Sequence, residues 1–184
     1  MCLTLLGGSL FAAQVPRRSP EFAVNMENGK QLLLSQYRGK AVALIFLLTY
    51  CSHCQHTTQI LTKLQQEYGP RGFQVVGSAI EDMAKMAVPD FIKRFQPSFP
   101  VGYSDRNSVI QYLQHPAMLR MMMPQVVFID REGMIRAQYS GDDPYFGDNQ
   151  EKNLRQSIES LLKENAPAPV SKTHTGARTK KKGA

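Results

Sequence analysis

No apolar run in this 184-residue chain is long enough to cross a bilayer. The longest, AVALIFLL at residues 41–48, has eight residues, against the roughly 20 that a spanning helix needs. Tryptophan is absent, and so are internal repeats. Cysteine is scarce: of Cys2, Cys51 and Cys54, only the last two are close in sequence. A lone Cys-x-x-Cys is half of a structural zinc site, which needs four ligands. Acidic residues are missing from 166–184, where Lys172, Arg178, Lys180, Lys181 and Lys182 supply five of the seven net positive charges. That tail has almost nothing large and apolar to offset its ordering entropy, so it reads as a solvated, disordered arm. It lacks the aromatic interleaving of a nucleic-acid binder, and the remaining body is nearly neutral.

What is present suffices for one core. A chain of this length with 42% hydrophobic residues supports a single buried domain. We divide it into a signal-like segment and linker at 1–19, one domain at 20–165, and the basic tail at 166–184. The opening MCLTLLGGSLFAAQ is apolar and ends on small residues, as a secretory signal does, although it lacks the basic n-region. A buried N-terminal segment is the alternative. Export to the periplasm or cell envelope would remove Cys2 and leave an even pair, which suits an oxidising compartment.

FAVNMENGKQLLL predicts a hairpin turning at Asn28-Gly29. AVALIFLL has no alternation and predicts a central strand covered on both faces. From Cys51 to Tyr68 the apolar residues Ile60, Leu61, Leu64 and Tyr68 fall at helical spacing, and YGPRG ends the helix. FQVVGSAI reads as the next strand, AVPDFIKRFQ as a helix with Pro89 in its first turn, and DRNSVIQYLQ as a short helix capped by Asp105. PQVVFIDREGMIRAQYSG gives two strands joined at Glu132-Gly133, and a helix with Leu154, Ile158, Leu161 and Leu162 follows. Strands that alternate with helices and end in an antiparallel pair predict an α/β fold in three layers around a mixed sheet.

TYCSHCQH sits where the central strand hands over to a helix. The first-turn N–H groups lack intrahelical partners, and the helix dipole favours negative charge there. In such motifs the first thiol titrates between roughly 3.5 and 7.5 rather than near 8.5, which casts Cys51 as the attacking thiolate and Cys54 as the sulfur that resolves the mixed disulfide. His53, beside the thiolate, would tune the poise towards oxidation, or is simply an exposed first-turn residue. His56 reads as the latter.

NGKQLLLSQYRGKAVALIFLLTYCSHC, followed by FPVGYSD and MPQVVFIDREGMI, resembles thioredoxin-like thiol-disulfide oxidoreductases of the TlpA/ResA type, in the AhpC/TSA-redoxin superfamily. The likeness runs over roughly residues 20–163. It implies a thioredoxin fold with an N-terminal hairpin extension and a central insertion. It also implies a cis-proline at Pro124 facing the cysteines, with the Met123 backbone pairing with a substrate segment. Glu81 matches an acid that relays a proton to or from Cys54, or else is an ordinary acid at a strand end. The resemblance implies protein thiols and disulfides as substrates, a membrane-linked electron donor, a monomer, no metal, and no cofactor beyond the Cys51–Cys54 pair.

Three departures stand out: Tyr50 replaces the usual tryptophan, Met123 the usual threonine, and Ile45 the buried aspartate of cytoplasmic thioredoxins. The Pro-x-x-x-Thr-x-x-Cys loop of the superfamily's peroxidases is missing, since Thr49 lies two residues before Cys51 with no proline nearby. Met118, Met121, Met122 and Met123 read as a flexible apolar face for docking polypeptides, with Tyr50 and Met123 nearest the site. The alternative is a copper-binding module similar to Sco-type chaperones, using these thioethers with the cysteines and His115. Such chaperones carry three residues between their cysteines, whereas this chain has two.

Overall fold

The computed structural model describes residues 14–164. The apolar segment at 1–13 and the tail at 166–184 lie outside the described residues. Within them the order is β1 (Arg17–Arg18), β2 (Ala23–Asn25), β3 (Gln31–Leu33), β4 (Ala41–Leu47), α1 (Ser52–Tyr68), β5 (Phe73–Ala79), α2 (Ala84–Phe95), β6 (Val101–Tyr103), α3 (Arg106–Leu113), β7 (Gln125–Ile129), β8 (Met134–Tyr139) and α4 (Gln150–Glu164). One eight-stranded sheet runs β1-β8-β7-β4-β5-β6-β2-β3.

β4 lies in the middle because all seven of its residues are apolar and buried. It pairs in parallel with β5 and antiparallel with β7. Its side chains alternate between the two faces. Ala41, Ala43, Ile45 and Leu47 pack in the cluster built from α1, α2 and α4, while Val42, Leu44 and Phe46 pack with Val109, Tyr112 and Leu113 of α3 and with Phe22 and Val24. The layers are therefore helix, mixed sheet and helix, as the strand and helix pattern predicts. Ile45, one of the departures from the resembled pattern, is fully buried among apolar side chains.

Two local readings need amendment. Residues 17 and 18, taken as linker, form β1 on the edge of the sheet, paired with Ile135 and Met134. Arg17 is fixed there by bonds to the Tyr112 carbonyl and the Gln138 side chain. The helix containing Pro89 starts at Ala84, so the proline lies inside α2 rather than in its first turn. Its missing N–H costs a single bond. The inner face of α2 is accordingly Ala84, Val88 and Phe91, with Ile92 and Phe95 only partly covered.

β6 carries too few residues to announce itself, yet it attaches the N-terminal hairpin to the sheet through Asn25 opposite Tyr103. Gly102 permits that approach, since a Cβ there would lie 2.3 Å from the Asn25 carbonyl oxygen. The hairpin turns through Gly29, at φ +75°, with Asn28 Oδ1 accepting from Lys30 N–H.

Candidate active site

Cys51 is the N-cap of α1, in extended conformation, and its sulfur accepts the Cys54 N–H at 3.4 Å. The side chain thus occupies the place a serine or aspartate takes in an ordinary cap. Cys51 is partly exposed and Cys54 is fully buried; both are free thiols. Cys54 Sγ accepts the Leu48 N–H at 3.5 Å. Burial pushes the Cys54 thiol far above the usual range; the Leu48 bond opposes this, and the Cys51 sulfur and the Glu81 charge add to it. One sulfur is open to a partner, and the other waits, protonated, behind it.

Glu81 follows β5 directly. The parallel ladder continues past the strand end, with Ile80 N–H donating to the Leu47 carbonyl, which brings Thr49 to the carboxylate. Glu81 Oε1 accepts the Thr49 N–H at 3.1 Å and the Thr49 hydroxyl. Glu81 Oε2 is buried and has no hydrogen-bond partner among the described residues. Thr49 is itself held by Gln55, whose Nε2 donates to the Thr49 carbonyl at 2.8 Å.

The Met123–Pro124 peptide bond is cis. Pro124 is buried at the start of β7, and Met123 packs against the same cluster as Cys51. The loop is fastened from behind. Gln125, 1% exposed, donates to the Met122 carbonyl at 2.6 Å and to Ser140 Oγ at 2.8 Å. Gly141 lies so close that a Cβ would sit 2.3 Å from the Met123 carbonyl carbon. Gln125, Gly141 and Thr49 escape a reading of the sequence: each is an ordinary residue whose role comes from a neighbour distant in the chain, and YSG after the last strand is the faint signal for one of them.

The remaining predicted residues divide. Tyr50, next to Cys51, is 71% exposed. Met118, Leu119 and Met122 are exposed, whereas Met121 is buried in the second core cluster and belongs to packing rather than to the docking face. His53 and His56 are exposed on α1, and the His53 ring has no hydrogen bond or ion pair among the described residues. His115 Nδ1 lies 3.0 Å from the Pro116 carbonyl. Among the described residues, no three His, Cys, Asp or Glu side chains gather as they would around a metal ion. A copper centre here would depend on thioethers beside the two thiols.

A strand-to-helix junction carrying paired thiols, faced by a proline-led strand in a mixed three-layer sheet, defines a thioredoxin-like oxidoreductase. The chain belongs to the Redoxin family, whose model matches residues 14–158, and within it to the TlpA/ResA type. It is 24% identical over 155 residues to the thiol-disulfide oxidoreductase ResA of Bacillus thuringiensis subsp. konkukian, covering 84% of this chain and 80% of that protein. It is 28% identical over 118 residues to ResA of Bacillus subtilis, covering 64% and 62%. A crystal structure described as a putative thiol:disulfide interchange protein DsbE from Chlorobium tepidum superposes with a TM-score of 0.70 at 24% identity, covering 82% of this chain and 99% of that one. That likeness concerns the fold. No helix among the described residues is long and apolar enough to cross a membrane.

Proposed function

We propose that the protein exchanges disulfides with thiols of other proteins through Cys51 and Cys54. The observation that carries this is the asymmetry of the pair: Cys51 is reachable at a helix N-terminus, while Cys54 is sealed beneath it as a thiol. Cys51 attacks a substrate disulfide and forms a mixed disulfide. Cys54 then gives up its proton to Glu81, attacks Cys51 Sγ and releases the substrate thiolate. The pair is the whole redox centre, and no further cofactor enters.

Met123, ahead of the proline, offers its backbone to an extended substrate segment beside the sulfurs, and Tyr50 and Met122 widen the apolar surface around it. We infer export to the cell envelope, a monomeric state and a membrane-linked thiol donor. The envelope assignment rests on the apolar opening segment and the paired cysteines. His53 is the one imidazole in the dipeptide between the cysteines, so it is the residue to vary when the potential is tuned.

Trapping tests the reading. A Cys54→Ser variant should accumulate mixed disulfides on Cys51 with protein substrates, and Cys51→Ser should accumulate none. Equal trapping by the two variants, or none by either, would sink the proposal. Equilibration in glutathione buffers then gives the direction: a potential near about −270 mV marks a reductase and one near about −120 mV an oxidant.

A further inference from the structure

Two adjacent amides hold the two groups that must exchange a proton. Leu48 N–H points at Cys54 Sγ and Thr49 N–H at Glu81 Oε1, so one short segment entering the motif holds both the thiol and the carboxylate, and the Glu81 charge acts on that thiol. The Thr49 hydroxyl donates to that same Oε1. One carboxylate oxygen therefore carries two donors, and the other, Oε2, is buried and bare among the described residues. A proton arriving at such a group goes to the oxygen whose lone pairs are free.

From this we propose that Thr49 is a positioning residue for disulfide exchange: it clamps Glu81 Oε1 and so leaves Oε2 as the single oxygen that takes the Cys54 proton. The inference rests on the exchange reading above and deepens it. The step balances as follows. Cys51 Sγ is already joined to a substrate sulfur. The Cys54 S–H bond breaks and its proton forms an O–H bond at Glu81 Oε2. The Cys54 thiolate attacks Cys51 Sγ, the Cys51–Cys54 bond forms, and the bond to the substrate breaks, its electron pair leaving with the substrate sulfur. The cysteine pair is oxidised by two electrons, and the substrate disulfide is reduced by the same two. The departing thiolate takes up a proton from solvent, and Glu81 gives its own back to solvent before the next cycle.

The clamp also accounts for Gln55. Its bond to the Thr49 carbonyl ties the segment to the first turn of α1, so Thr49, Cys51 and Cys54 keep one spacing.

The test separates the two steps of exchange. Reduced full-length protein is mixed with glutathione disulfide, quenched in acid and weighed by mass spectrometry, which resolves the glutathione adduct on Cys51 from the final disulfide. Thr49→Val keeps the branched shape and deletes the hydroxyl. It should slow conversion of the adduct on the order of tenfold, within what proton transfer by a placed side chain contributes, and slow adduct formation far less. Thr49→Ser should restore conversion. In a Glu81→Gln background Thr49→Val should add no further loss, because the two residues act as one unit. Wild-type conversion kinetics in Thr49→Val, or losses that multiply in the double variant, would overturn the role of Thr49 and leave the exchange reading intact. A wild-type protein that forms no adduct would sink the exchange reading, and this inference with it.

Discussion

Alkaline pH should weaken the reduced protein through Cys54. Its thiol is fully buried, and burial holds it far above the ordinary range, whereas in the unfolded chain it ionises near about 8.5. Below that pH both states keep the proton and the full stability is present. Above it the unfolded chain releases a proton that the folded protein retains, so stability falls by about 1.4 kcal/mol per pH unit. Between pH 8.5 and pH 10 the loss reaches about 2 kcal/mol, a sizeable part of a typical total of about 5–15 kcal/mol. Three buried phenols are raised as well: Tyr112 to about 12, Tyr145 further, and Tyr68 through burial and its bond to Glu159. Their contributions begin only above the ordinary phenol value of about 10, so the window below it belongs to the thiol. Urea unfolding of reduced wild type and of Cys54→Ala across this range isolates the effect, since Cys51 is present in both. The wild type should lose about 2 kcal/mol more than the variant. Equal slopes would refute the description of Cys54 as a buried thiol that stays protonated in the fold.

Three further outcomes follow from close contacts. Gly141→Ala would push a methyl to within 2.3 Å of the Met123 carbonyl, so the loop before Pro124 must shift; we expect slower exchange with protein substrates and a stability loss of about 1–3 kcal/mol by urea titration. Gln125→Leu strips the donors from the Met122 carbonyl and Ser140 in a buried place and should cost about 1–3 kcal/mol, measured the same way. Gly102→Ala would collide with the Asn25 carbonyl and should loosen the hairpin, read as faster amide exchange over residues 23–33.

Legibility in the sequence follows the range of the interaction that makes each feature. β4, α1 and α4 are readable because their signal is local: an unbroken apolar stretch, or leucines and isoleucines at helical spacing. The Asp105 cap is readable for the same reason, and its side chain does accept the Ser108 N–H. β1 and β6 are not, because two or three residues carry no periodicity; they become strands only by lying against Ile135 and Gly77. The start of α2 slips because Pro89 is a common first-turn residue, and nothing nearby says that Glu81 and Met83 will accept the first helical N–H groups instead. In the site, the cysteines and Pro124 stand out by residue type. Met121 misleads by type: it sits in a methionine-rich run, yet its depth is set by α3 and β7.

The contact between Thr49 and Glu81 belongs to register. β4 and β5 pair in parallel from Ala41 opposite Phe73 to Leu47 opposite Ala79, and that alignment continues one bond further through Ile80. Both strands are buried, and a slip of one residue would turn the side chains of each strand to the wrong face. The same slip would carry Glu81 away from Thr49 and from the buried sulfur. Packing of the apolar strands thus fixes, far from any charge, where Glu81 and Thr49 meet at the end of the sheet. A substitution deep in β4 or β5 that disturbs this register should impair exchange without touching a cysteine, which makes the core of the sheet part of the apparatus that positions the acid.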